Sequence, residues 1–407
     1  MTPSTLRLVL LISCAHALVH VYEQALPSVE QLVAADFSTA EVKIGPETTG
    51  PLGTAWRVPF GALALLAGWL ADRLGSKSLL IVYLTGCAAT SALAWWSPTL
   101  AALFVAMFVM GSFASIYHPA GLAMISHETT AANRGAALGW HGIFGSVGIA
   151  VAPLLASAAF LFPQASWREY YLLLIVPGAA LAVLFVFVLP GRKSDDDVPR
   201  SVADNDASED SMRWGAFFTL VAAGTASGFI YAALTHFLPR YLDTAGLRPA
   251  SVSAESFRTL LTGIVLLCGA AGQGVAGKLA RPQRLEWLLV LILAGNAPCL
   301  IWMALATGHW RLAATCVMAF VHFMNQPVYN SLIAKFVARG RRSTGYGFSN
   351  MMCFGIGALG PTYAGLVRYL AGPTQADLWT YASLAGLALL AALLAAVLWR
   401  NSVHAES

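Results

Sequence analysis

Charge is scarce in this chain. Of 407 residues, 24 are Lys or Arg and 20 are Asp or Glu, 11% together. A soluble domain carries about 25%, so these residues cannot cover a water-facing surface. The net charge of +4 is too small for a nucleic-acid partner, whose phosphates call for a dense basic face. Chemistry-bearing motifs are missing as well. There is no Gly-rich Lys-Ser/Thr loop, which argues against ATP-driven transport. No nucleophile–base pair or complete metal-ligand set stands out, which argues against a membrane enzyme and implies no cofactor. The short alternating strands of a barrel are not visible. Six cysteines (Cys14, Cys87, Cys268, Cys299, Cys316, Cys353) show no paired spacing. All fall in apolar runs and read as small fillers rather than disulfides or metal ligands.

What the chain has is apolar sequence, 57% of it. About 20 apolar residues span a bilayer as a helix. Twelve such runs can be counted: roughly 5–30, 49–71, 78–97, 100–126, 135–161, 170–190, 214–239, 257–280, 285–306, 310–334, 343–367 and 378–399. His16, His20 and Glu23 interrupt the first, and no small-residue cleavage site follows, so it reads as a helix and not a signal peptide. Residues 191–213 are polar, acidic and too poor in apolar groups to bury a core, which marks a linker.

The two sides of that linker repeat each other. Pro119, Arg134, Gly139, Trp140 and Pro153 match Pro327, Arg342, Gly347, Phe348 and Pro361, every pair 208 positions apart. Internal symmetry in an apolar chain is a transporter signature. The expected fold is therefore all-α: twelve transmembrane helices in two pseudo-symmetric six-helix bundles, 1–190 and 214–407. With the N-terminus in the cytoplasm, sixteen Lys and Arg fall on the cytoplasmic side and seven opposite. By the positive-inside rule both termini are expected to be cytoplasmic.

Polar residues inside apolar runs are the candidate site. His16, His20, Glu23 and Gln24 share one face of the first helix at i, i+4, i+7 and i+8. Glu23 is the only acidic residue expected deep in a span, and Arg57 the only basic one. At about 1.5 Å per residue, Glu23 stands roughly 24 Å above Arg7 and Arg57 roughly 22 Å above Asp72. The two meet at similar depth and pairing lowers the cost of both. Helix 4 brings Tyr117, His118 and Pro119 inward, and helix 5 carries His141 about 10 Å into the membrane. Helix 7 carries Tyr231, Thr235 and His236. On helix 10, His322, Asn325, Gln326 and Tyr329 form one polar face. The bland alternatives are a helix-end residue snorkelling to water for Glu23, a structural ion pair for Glu23 with Arg57, a hydrogen-bonded structural role for His118 and His141, and polar glue between helices for helix 10. Gly139, Gly142, Gly145 and Gly148 give helix 5 a stripe suited to close packing.

The stretch Gly68-Trp-Leu-Ala-Asp-Arg-Leu-Gly-Ser-Lys77 resembles the cytoplasmic helix 2–3 signature of the major facilitator superfamily at Gly68, Leu70, Asp72, Arg73, Gly75 and Lys77. The second half keeps Gly277, Leu279 and Ala280 but has Arg281 for the aspartate. Together with the twelve spans and the repeat, the resemblance covers nearly the whole chain. It implies two bundles around a midplane cavity lined by helices 1, 4, 7 and 10, where the polar residues above concentrate. It implies a gate of Asp72, Arg73, Lys77, Arg134 and Arg342, a monomer, and compact loops of the kind found in a bacterial inner membrane. Gly148–Pro153 is similar to the family's helix 5 antiporter motif, with Ala152 for the second glycine. The histidine and glycine pattern weakly resembles the fosmidomycin-resistance-like branch of drug exporters. The family's helix 4 arginine motif is absent.

The leading expectation is a secondary active transporter that exports a small, partly apolar molecule in exchange for protons. Glu23, Arg57, His16 and His20 are the proton-coupling candidates. Tyr22, Gln24, Tyr117, His118, His141, Tyr231, His236, His322, Asn325, Gln326 and Tyr329 are the substrate-contact candidates, with Trp56 and Trp140 as further cavity aromatics. Trp95, Trp96, Trp167 and Trp310 read as interfacial anchors. Proton-coupled uptake of an organic anion is an alternative. Transport of a transition metal or a metal–chelator complex is another: His16 and His20 have i, i+4 ligand spacing, although no cysteine joins them and the other histidines are scattered in depth. A receptor or assembly partner that no longer transports is disfavoured by the complete gate motif and repeats.

Overall fold

The computed structural model describes residues 1–189, 212–338 and 341–406. Most of the expected linker, 191–213, lies outside them. The regular elements of the described residues are all helical. In chain order they are α1 (Pro3–Phe37), α2 (Pro46–Ala62), α3 (Ala64–Leu74), α4 (Ser76–Trp96), α5 (Leu100–Ala114), α6 (Tyr117–Glu128), α7 (Ala131–Ala159) and α8 (Trp167–Val188), then α9 (Trp214–Leu242), α10 (Ala254–Leu279), α11 (Leu285–Leu305), α12 (Trp310–Phe323), α13 (Asn325–Phe336), α14 (Arg342–Asn350) and α15 (Gly360–Glu406). A π-helical turn, Met351–Ile356, and a 3-10 turn, Gly357–Leu359, join α14 to α15.

Among the described residues nine helices are long and apolar enough to cross a membrane, or ten with α2 and α3 taken as one span bent by 46°. That bend falls at Leu63, four residues past Pro59, where the Leu63 N–H still reaches the Pro59 carbonyl at 3.0 Å. Two differences separate this count from the expected twelve. Residues 344–402 form one apolar run of 59 residues, but it turns at Gly372, whose φ of 71° a side chain rarely adopts. The other is the pair α12 and α13, which falls short of the apolarity of the rest. Helix α1 also extends further than the expected 5–30. It runs through the buried Pro27 to Phe37, a continuation that membrane helices tolerate.

The 208-residue repeat is written into the backbone. Helices α6 and α13 begin at Tyr117 and Asn325 and end at Glu128 and Phe336, so both bounds differ by 208. Each is severed from the helix before it by the same tightened bond, Ile116 N–H to Phe113 O at 3.2 Å and Met324 N–H to Val321 O at 3.3 Å. Arg134 then donates to the carbonyls of Ser126 (3.1 Å) and Thr129 (3.2 Å). Arg342 donates to those of Ala334 (2.9 Å) and Val337 (3.4 Å), again 208 positions on. Each guanidinium thus caps a helix C-terminus, where carbonyls lack partners and cations are favoured.

The apolar cores divide with the sequence. One cluster draws its buried residues from Val9 to Leu189 alone. Two more come from residues 217–398, joined only by Ile149 and Ala150 of α7. Across the interface α1 meets α9, α7 meets α10, and α2 meets α15 and the turns before it. These contacts concentrate at the end of the molecule far from the chain termini, called here the far end. There Glu30 of α1 pairs with Arg240 of α9 at 2.8 Å, Gln31 donates to Asp243 at 3.3 Å, and Ser157 of α7 donates to the Ser256 carbonyl at 2.8 Å. Toward the termini Gly135, Gly139 and Gly142 of α7, and Gly274 and Gly277 of α10, face open space, while Leu65 of α3 still approaches Gly347 of α14.

Candidate functional site

The site begins on α1. Its face at positions 16, 20, 23 and 24 is buried, as the spacing requires, and His16, Glu23 and Gln24 each find a hydrogen-bond partner on another helix. Arg57 of α2 donates to Glu23 Oε1 at 2.5 Å, with both side chains 6% exposed or less. His20 Nδ1 lies 2.7 Å from Glu23 Oε2. A carboxylate only accepts, so this nitrogen carries the proton. Arg57 also reaches across the interface, donating to Thr235 Oγ1 of α9 at 3.1 Å and lying 5.4 Å from the Tyr231 ring. Gln24 donates to the Tyr231 hydroxyl at 3.3 Å, and Tyr231 stacks on His322 at 6.3 Å and 8°. One polar chain therefore runs from His20 through Glu23 and Arg57 into the second half. A small cavity beside it is lined by Arg57, Phe60, Tyr231, Cys353 and Phe354.

A second group sits at the inner end of this chain. His16 Nδ1 lies 2.7 Å from the His141 carbonyl and must donate to it. The two rings stack at 3.8 Å. A Cβ on Gly145 would overlap the His16 ring, so the glycine stripe of α7 makes room for the histidine. Tyr117 donates to the Ile12 carbonyl at 2.7 Å and meets His141 Nε2 at 3.1 Å. His118 stands edge-on to His16 at 5.2 Å. The expectation that the histidines are scattered in depth is corrected, because α6 and α7 bring His118 and His141 onto His16.

Several expected site residues take other places. Tyr22 packs against Gly178 and donates to the Leu174 carbonyl at 3.2 Å, inside the first bundle and away from the interface. Tyr329 packs on Gly224 and bonds Ser349 at 2.6 Å, inside the second. Asn325 donates to Ser227 at 3.0 Å, and Gln326 accepts from Gln273 at 2.5 Å. His236 packs over Gly53 at the α2–α9 contact. Trp56 is buried, whereas Trp140 is 44% exposed and does not line a cavity. Only Gly145 and Gly148 of the glycine stripe touch another helix, at His16 and Ala17.

Among the described residues the expected gate residues are not brought into one cluster. Asp72 is exposed and makes no ion pair among the described residues. The Arg73 guanidinium covers Trp69 at 3.9 Å. Lys77 donates to the carbonyls of Val186 (2.9 Å) and Leu189 (2.7 Å) at the end of α8. With Arg134 and Arg342, it caps helix ends within one half. The sequence reading also missed buried charge. Glu23 is not the only buried acid: Glu30, one heptad further along α1, is 2% exposed and pairs with Arg240. Thr49 also donates to Glu30. Glu286 pairs with Lys335, and Asp377 with Arg311 and Arg368. The seven-residue spacing from Glu23 to Glu30 was the available signal.

Two helical bundles that bury ionised groups along a shared interface define a multi-pass membrane transporter rather than an enzyme. The Major Facilitator Superfamily profile matches residues 12–361, and the chain belongs to that family. It is similar to the puromycin resistance protein pur8 of Streptomyces alboniger, with 34% identity over 152 residues, 36% of this chain and 30% of that one. It is also similar to the probable sulfoacetate transporter SauU of Cupriavidus necator, with 24% identity over 264 residues, 61% of this chain and 59% of that one. Both matches span less than two thirds of the relative. In fold it resembles a bacterial homologue of the human lysosomal transporter Spinster in an inward-facing, occupied conformation, with a TM-score of 0.77 at 15% identity over 98% of each chain. The nucleoside transporter NupG gives a TM-score of 0.72 at 15% identity over 98% of this chain and 99% of that one.

Proposed function

We propose that this transporter exports a small, partly apolar molecule in exchange for protons, by rocking of bundle 1–190 against bundle 214–407. The observation that carries the proposal is the chain His20–Glu23–Arg57–Thr235, which ties an ionisable pair in one half to a hydroxyl in the other. While Glu23 is charged it holds Arg57, and Arg57 holds Thr235. A proton arriving on Glu23 by way of His20 removes the charge that orients the guanidinium. The bond to the second half then loosens and the balance of states shifts. Tyr231 and His322, with Gln24 and His118, are the substrate contacts of this reading. Both termini lie in the cytoplasm of a bacterial inner membrane, so the closed far end faces outward and the exposed Asp72 belongs to a parted cytoplasmic gate. The protein works as a monomer. Export draws support from the resistance function in the name of pur8 and from a relative in Streptomyces glaucescens named as a tetracenomycin C resistance and export protein.

The test is proton flux on substrate addition to proteoliposomes carrying an internal pH dye. Protons moving opposite to substrate establish exchange, and Glu23→Gln abolishes it. Retained pH-dependent flux in that variant sinks the assignment. A second reading, uptake of an organic anion with protons, is favoured by Arg57 at the cavity and by the relative named for sulfoacetate. Protons moving with the substrate select it.

A further inference from the structure

The histidines beside the polar chain are more than its neighbours. His16, His20 and His118 each offer a ring nitrogen, and the three ligand atoms lie within 4.8 Å of one another. The tautomers of His16 and His20 are fixed by what surrounds them. His16 Nδ1 must donate to the His141 carbonyl. His20 Nδ1 must donate to the Glu23 carboxylate. His16 and His20 therefore each present Nε2 as a bare lone pair. His16 Nε2 and His118 Nε2 are buried and have no hydrogen-bond partner. Two buried ring nitrogens left without partners are costly. His16 and His20 are held as metal-binding histidines are, with the far nitrogen tied to a carbonyl or carboxylate and the near one free. His141 supports rather than ligates: the Tyr117 hydroxyl gives its proton to Ile12, so His141 Nε2 must donate to it and cannot face a metal.

We propose that His16, His20 and His118 form a binding site for one late divalent transition-metal ion such as Zn(II) or Co(II). Three imidazoles suit these ions and leave a fourth position of a tetrahedron vacant. Phe60, which packs on His118 at 5.7 Å, also lines the cavity beside Arg57. The site therefore adjoins the place where a substrate would sit. Glu23 belongs to both systems. It orients His20 for the ion and pairs with Arg57, so a bound dication and the guanidinium compete for the same carboxylate. The proposal goes beyond the export reading and holds whichever way the transporter runs.

The probe is Co(II) added to purified, tag-free full-length protein in detergent, followed by visible absorption and by equilibrium dialysis with Zn(II). The expected result is one saturable equivalent with the intense visible bands of four-coordinate cobalt. His118→Ala removes the bands, and Gly145→Ala, which displaces the His16 ring, weakens binding at least tenfold. Glu23→Gln keeps an acceptor for His20 but not its charge and weakens binding about tenfold. His127→Ala, at an exposed histidine, changes nothing. His16→Gln is the second ligand variant should His118→Ala elute as aggregate. Absence of saturable binding, or binding that survives both ligand variants at unchanged strength, overturns the proposal. Proton-driven flux in metal-free medium is measured separately, so loss of one activity leaves the other readable.

Discussion

The far-end seam makes a quantitative prediction. Helices α2 and α15 approach there through glycines from each side. A Cβ on Gly50 would overlap the Pro361 carbonyl oxygen, and one on Gly365 would overlap the Pro46 carbonyl oxygen. Both obstacles are backbone, which cannot swing aside as a side chain can. Gly50→Ala therefore acts as a wedge. Overpacking a closed contact by one carbon costs about 1–3 kcal/mol. The cost falls only on the conformation in which the seam is shut. At about 1.4 kcal/mol per tenfold, the far-end-open state should gain roughly 5- to 150-fold in population. The helix-propensity gain of alanine over glycine, up to about 1 kcal/mol, is common to both states and cancels.

The assay is the distance between spin labels on Ala35→Cys and Thr244→Cys in a cysteine-free background. Both positions are exposed, one near the end of α1 and one just past α9. The wedge variant should shift the distribution toward longer distances. Gly135→Ala, on α7 where an added Cβ meets nothing within 4 Å, is the matched control and should leave it unchanged. Identical distributions in wedge, control and parent would refute the argument that this seam holds the far end closed.

Three further outcomes follow from the same geometry. Glu23→Gln leaves Arg57 buried without its counter-charge, which should cost about 3–5 kcal/mol in thermal unfolding, and Glu23→Gln with Arg57→Met should recover most of that loss. Arg134→Ala and Arg342→Ala each remove two bonds to carbonyls at a helix end. They should cost similar amounts, about 1–3 kcal/mol, and add within about 0.5 kcal/mol in the double variant because the sites share no partner. Thr235→Val deletes the hydroxyl through which Arg57 grips the second half. A loss of about 1 kcal/mol of inter-half bonding should appear as a roughly fivefold shift in the same label-distance equilibrium.

Much of this was legible in the sequence because membrane helices are regular. A fixed rise per residue placed Glu23 and Arg57 at one depth, and they meet. The four-residue periodicity put His16 and His20 on one face, and it is buried. The 208-residue repeat reappears in the matched bounds of α6 and α13, although the breaks before them fall inside runs read as unbroken. Partner choice between helices was less legible, since depth alone does not say which way a side chain turns. Tyr22 and Tyr329 have the right depth for a cavity but turn into their own bundles toward Gly178 and Gly224. Lys77, Arg134 and Arg342 carry the charge for a gate but lie nearest to unpaired carbonyls at helix ends, which satisfy them locally. His118 could not be assigned to the histidine group from spacing, because it arrives on a different helix across a break in the chain.

The length of α1 has the widest consequence. The apolar run expected at 5–30 stops at Glu30, so a partner for that carboxylate was not sought. In the folded chain α1 continues, and Glu23 and Glu30 stand seven residues apart on one face. Each holds an arginine, and each arginine engages α9: Arg57 through Thr235, and Arg240 by belonging to it. The two halves are thus joined along α1 and α9 by two buried carboxylates at different depths. The pair at Glu30 sits within the closed far-end seam, while the pair at Glu23 sits beside the cavity. Parting the seam must separate Glu30 from Arg240, which leaves both charges in need of water. That penalty is met only when the far end fills with solvent. Occupancy of the cavity acts on the other pair. Separating the two carboxylates by two helical turns therefore lets the inner one respond to proton, metal ion or substrate while the outer one responds to the opening itself.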